Sequence, residues 1–269
     1  MPPSTRDDTA FDLDRIVRES FIQQVAYHRT VPSTNSAAME LCRQGAFVSP
    51  QLVLASQQTA GRGRGANVWW SAPGSLTFSV LLRPAEFRLP QSLWPKMSLT
   101  MGLSVCHAVD ELLREVPGVQ AGLKWPNDVY LDGRKVCGVL VEVGPRPSES
   151  LVIGIGLNVN NSFSDAPAEI QSRAIALADR AGQPLDMTHV LVTVLRQIEQ
   201  HLTLLADGSP DLADAWQARC ALRGKTVEIQ SGTRTTTGVC QGIDEEGALV
   251  LLTESGPARV FGGVVAQVW

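Results

Sequence analysis

Residues 123–143 read "LKWPNDVYLDGRKVCGVLVEV", and the fold turns on the Asp-Gly pair inside them. Asp132-Gly133 suits a two-residue turn whose central residues take positive φ, so residues 129–131 are expected to fold back antiparallel on 135–143. Strands adjacent both in sequence and in space rule out a strictly alternating parallel sheet. Further apolar runs with strand character flank the pair: "LVLASQQ" at 52–58, "SLTFSVLLR" at 75–83 and "LVIGIGLNVN" at 151–160. A helix is predicted from an N-cap at Ser33 or Thr34 through Ala37, Ala38, Met39, Leu41 and Cys42. A second spans 95–116, where Met101, Val105, Ala108, Leu112 and Val116 fall three and four apart, and a third spans 188–206. The expected fold is α+β, a mixed sheet with helices on one face. After Gly224 the texture becomes short alternating runs broken by glycine, which predicts a small β-barrel. The organisation read from this is a unit over 1–222, its first ten or so residues disordered, and a second over 223–269.

With 269 residues, 44% of them apolar and 19% charged, the chain can bury an ordinary core. Its net charge of -4 counts against a general nucleic-acid binder. The five cysteines form no CxxC and the four histidines no HxxxH or HExxH, so neither a disulfide framework nor a zinc site is expected. The N-terminal residues lack the pattern of a signal peptide, and no apolar run reaches the roughly 18 residues of a membrane span. A cytoplasmic protein with no membrane partner is expected.

One local cationic feature stands out against this mildly acidic background. "GRGRGANVWW" at 61–70 alternates glycines with arginines and ends on two tryptophans. It lacks the third glycine of a dinucleotide fingerprint and the GK[ST] of a phosphate-binding P-loop. A flexible loop with solvated arginines is the bland alternative. Its surroundings argue otherwise. "KWPND" supplies Lys124, Asn127 and Asp128, the next strand supplies Lys135, and "GLNVN" supplies Asn158. Two lysines and two arginines converging on strand ends suit a polyanion such as a nucleoside triphosphate.

"PSTN", "QTAGRGRGANVWWS", "LKWPNDVYLDGRKVCGVLVE" and "GIGLNVN", in this order and spacing, resemble the biotin–protein ligases from about Tyr27 to the C-terminus. The resemblance implies a catalytic unit of the class II synthetase and biotin/lipoate ligase type and an SH3-like C-terminal barrel. It implies ATP and biotin as substrates, with Mg2+, and a biotin carboxyl carrier protein as partner. Biotin's carboxylate would attack the α-phosphate to give biotinoyl-adenylate, and a carrier lysine would then take the acyl group. By the same resemblance Ser33, Thr34, Asn35 and Gln58 form a polar wall for the ureido group. Gly61, Arg62, Gly63 and Arg64 form a loop closing on carboxylate and phosphates. Lys135 bonds the acyl-phosphate bridge, while Gly138, Leu140 and Gly156 let the biotin rings lie against backbone. Lys124, Asn127, Asp128, Asn158 and Arg64 face the nucleotide. Lys135, Arg62, Arg64, Asp128 and Lys124 make up the catalytic set. No metal site made by the protein alone is expected; Mg2+ would arrive with ATP near Asn158.

Ala66 and Asn67 stand where many relatives carry a second Gly-Arg, which leaves the number of phosphate contacts open. The short stretch before Tyr27 leaves no room for a helix-turn-helix, so a monofunctional ligase without nucleic-acid binding is expected, as a monomer or a homodimer. A lipoate–protein ligase, or a biotin-sensing regulator without catalysis, is the alternative. The glycines make the loop costly to order, so it is expected to be mobile without ligand and to close with Val68 and Trp69 over the biotin ring.

Overall fold

A computed structural model describes residues 11–45, 47–146 and 149–269. The expected disorder of the first ten residues lies outside them. The chain runs α1 (Leu13–Glu19), β1 (Gln24–Val31), α2 (Thr34–Gln44), β2 (Gln51–Gln58), β3 (Ser75–Leu82), α3 (Met97–Leu112), β4 (Gly122–Lys124), β5 (Asp128–Leu131), β6 (Arg134–Val143) and β7 (Leu151–Asn158). It continues with α4 (Ala168–Arg173), α5 (Leu177–Ala181), α6 (Met187–Ala206) and α7 (Pro210–Arg219). Five strands complete it: β8 (Thr226–Ser231), β9 (Arg234–Ile243), β10 (Leu249–Thr253), β11 (Gly256–Val260) and β12 (Val264–Val268).

The first seven strands form one sheet in the order β1-β2-β3-β7-β6-β5-β4, parallel only between β1 and β2. The β5–β6 turn forms as the sequence predicts: Asp132 and Gly133 take φ of 50° and 73°. The helix expected over 95–116 is shorter, because Gln91–Lys96, with Pro95, winds as a 3₁₀ turn before α3 begins.

Helices do not sit on one face only. Leu52, Leu54, Phe78, Val80, Ile153 and Ile155 point into the main core beneath α3 and α6. Val53, Leu81 and Val152, one residue out of phase, pack instead under Ala38 and Cys42 of α2. The helix signal in the sequence fixes which stripe of α2 is apolar, not which side of the sheet it covers.

The expected barrel is also corrected. The C-terminal strands form an open sheet in the order β11-β10-β9-β8-β12, and no sheet closes on itself among the described residues. Residues 261–263 carry the chain from β11 at one edge to β12 at the other, and β12 pairs with β8 alone. The apolar face of the sheet is continuous with the core of the larger unit. Val227, Ile229, Cys240, Ile243, Leu249 and Leu251 belong to the same core as α3 and α6. Gln217 of α7 bonds the backbone of Gln241 and Ile243, and the Trp125 indole donates to the Gly247 carbonyl at 3.2 Å.

All five cysteines are buried and unpaired. Between α3 and α6 lie His107 and His201, with ring centroids 4.9 Å apart and the Arg219–Asp110 ion pair beside them. Burial pushes both imidazoles below their ordinary value, and for His107 the partner histidine adds to the effect. The unfolded chain therefore takes up protons first as pH falls below about 6.5, so stability present above that pH is lost in acid. His201→Gln keeps a donor for the Gln197 carbonyl and is expected to flatten the decline of Tm between about pH 7 and pH 5. An unchanged slope would exclude His201 as its source.

Candidate active site

The face of the sheet beneath α2 carries a cleft of about 850 Å³. Its floor follows from the strand period. Gly138 and Leu140 of β6 pair with Gly156 and Gly154 of β7, all on the side away from the main core. A methyl group at Gly154 would overlap the Asn35 amide, and one at Gly156 would strike the Trp69 indole. The floor is bare backbone because other groups lie against it.

The wall stands where α2 begins. Ser33 occupies the N-cap position, yet its side chain makes no capping bond, which leaves a hydroxyl turned to the cleft. That departure from ordinary helix chemistry falls at the site itself. Gln58 accepts from the Thr34 amide at 2.7 Å, and its amide nitrogen is left to donate elsewhere. Ser79 donates to Thr34 at 2.8 Å or to Asn35 at 2.6 Å. Both Asn35 amide hydrogens are spent, on the Leu140 carbonyl at 3.2 Å and the Glu142 carboxylate at 2.8 Å.

The glycine-arginine loop folds as a hairpin. Arg62 bridges to Val68, Gly63 donates to Asn67 at 2.8 Å, and Trp69 donates to Gly61 at 3.0 Å. Trp69 lies on the glycine floor, whereas Val68, expected to share that place, is 77% exposed. Gly61 is buried behind the loop and does not line the cleft, because Trp69 backbone occupies the space beside it.

The four cations singled out in the sequence are each engaged by the protein. Lys135 pairs with Asp128 at 2.7 Å, Lys124 donates to the Tyr130 hydroxyl at 2.9 Å, Arg64 donates to the Gly263 carbonyl at 2.7 Å, and Arg62 pairs with Glu142. Asn127 holds the Val139 carbonyl at 2.7 Å, and Asn158 reaches the Lys135 carbonyl at 3.4 Å. The cleft thus gathers Ser33, Thr34, Asn35, Gln58, Arg62, Gly63, Arg64, Lys124, Asn127, Asp128, Lys135, Gly138, Leu140, Gly156 and Asn158. Among the described residues, no three of His, Cys, Asp or Glu are grouped to hold a metal ion, and no helix is long and apolar enough to cross a membrane.

Several contributors escaped the sequence reading. Ser79 carried a signal, since Ser75, Thr77 and Ser79 alternate along a strand that is otherwise apolar. Glu142 shares the face of Gly138 and Leu140 by simple alternation. Ser231 and Gly263, from the C-terminal sheet, gave no signal.

A bare floor, a hydrogen-bonding wall and a bank of cations define a binding site for a flat, partly apolar molecule with an anionic end. Residues 27–160 match the biotin/lipoate A/B protein ligase family, and residues 223–266 match the biotin protein ligase C-terminal domain. The biotin–[acetyl-CoA-carboxylase] ligase of Mycobacterium tuberculosis is 33% identical over 81% of this chain and 79% of its own. The bifunctional ligase/repressor BirA of Bacillus subtilis is 32% identical over 89% of this chain and 72% of its own. Among solved structures, the biotin protein ligase of Aquifex aeolicus in complex with biotin and ATP superposes with a TM-score of 0.78, at 32% identity over 92% of this chain and 99% of that one. The chain belongs to the biotin–protein ligase family.

Proposed function

We propose that the chain condenses biotin with ATP to biotinoyl-adenylate and passes the biotinoyl group to a lysine of a biotin carboxyl carrier protein. The observation that carries this reading is the placement of Lys135 beside the glycine floor, with the polar wall at the start of α2 bonded through Asn35 to the far end of the same strand. A Cβ on Gly138 would lie 3.3 Å from the Lys135 amine. A ureido ring seated at the wall needs partners for two donors and one acceptor, and the Ser33 and Thr34 hydroxyls with the Gln58 amide supply both kinds. The Trp69 indole gives up part of the floor to the ring and packs beside it.

The carboxylate oxygen attacks the α-phosphorus, the bond to the β-phosphate oxygen breaks, and pyrophosphate leaves. Two anions must meet, so Lys135, Lys124 and Arg64 neutralise charge as it redistributes. Asn158 and Asn127 would lie toward the Mg2+ brought with ATP, whose charge would shield the phosphates. In the second step the carrier amine attacks the acyl carbon and AMP departs. Only about one in a few thousand such amines is neutral at pH 7. Asp128, released when Lys135 turns to the acyl phosphate, takes the proton.

Purified chain given MgATP is expected to release pyrophosphate with biotin and not with lipoate, which has no ureido group for the wall. It is then expected to label a carrier domain at one lysine. Turnover with lipoate alone would overturn the assignment.

A further inference from the structure

We infer that Arg62 acts at the polar-wall end of the cleft and not on phosphate, held there by Glu142 as a positioning residue. This rests on the reading of the cleft as a biotin site. The Glu142 carboxylate pairs with the Arg62 guanidinium and accepts from Asn35 at 2.8 Å. Asn35 is bonded to Ser79, Ser79 to Thr34, and Thr34 to Gln58. An unbroken run of polar contacts therefore leads from the loop into the wall.

Position along the strand separates this end from the reacting one. Lys135 lies at Gly138, where Asp128 also pairs. Glu142 is four residues farther along β6 and on the same face, a distance of about 13 Å at the rise of an extended strand. Phosphate held by Lys135 is beyond the reach of a guanidinium bound to Glu142. Arg64, two residues on, goes elsewhere and donates to Gly263 of the C-terminal sheet. The two loop arginines thus serve opposite tasks. Arg64 stands toward the nucleotide, and Arg62 seats the loop on the wall that reads the ureido group.

The Arg62 side chain is 42% exposed and that of Glu142 25%, so the pair matters less for folding than for where it holds the loop. Three variants test this: Arg62→Ala, Glu142→Gln and their combination. Glu142→Gln keeps an oxygen for Asn35 and removes only the charge that holds Arg62. Each single change is expected to raise KM for biotin about tenfold, leave KM for ATP within about twofold, and add little to the other when combined. Binding of biotin without ATP should weaken in parallel, with Tm unchanged. A rise in KM for ATP in Arg62→Ala, with Glu142→Gln indistinguishable from the parent, would overturn the inference. So would full additivity. A parent chain with no biotin-dependent pyrophosphate release would instead remove the proposed function.

Discussion

Lys135→Ala is expected to slow biotinoyl-adenylate formation by roughly a hundredfold or more while leaving the fold intact. The amine is partly exposed and its ion pair is with Asp128 alone, so removing it strips charge from the cleft without opening the core. The loss should fall on kcat as much as on kcat/KM, because the stabilised charge develops only as the carboxylate meets the phosphate. Rapid-quench measurement of pyrophosphate release separates this step from transfer to the carrier. A variant that forms adenylate at the parent rate would take Lys135 out of the chemistry.

Gly156→Val should produce the second large effect, on binding. The nearest group a side chain there would strike is the Trp69 ring, on the open side of the sheet. The isopropyl group would fill the floor and compete with the ring of the ligand. A mismatched group in a ligand pocket changes binding by about 1–3 kcal/mol, so KM for biotin should rise about tenfold to a hundredfold. Tm should barely move, because the strand keeps its ladder to β3 and β6. Unaltered biotin affinity would mean that the rings lie elsewhere. Gly154→Val is a harsher change, since the added group would drive into Asn35 and break the wall from within.

Much of this was legible in the chain because it depends on local chemistry. Asp132-Gly133 names its own turn, and the residue types at 33–35, 58 and 61–64 announce hydroxyls, amides and cations. Sheet order was less so. Alternation in the C-terminal 45 residues predicts strands but carries no information on whether β11 and β12 meet, and they do not. The side taken by α2 depends on long-range packing, which no single helix encodes. Within the cleft, the sequence supplies two arginines two residues apart, on a loop expected to close on carboxylate and phosphates, but not the partner of each. Their separation depends on Glu142 and Gly263, 80 and 199 residues away from their respective partners.

The bond between Lys135 and Asp128 bears on what the cleft will admit. The amine already has a tethered carboxylate at high effective concentration. A stray inorganic anion must outcompete that tethered group, whereas a substrate brings its ring and chain contacts along with its charge. A neutral analogue of the same outline has nothing to exchange and leaves the internal pair closed. Such a pair favours molecules that are both the right shape and negatively charged at one end.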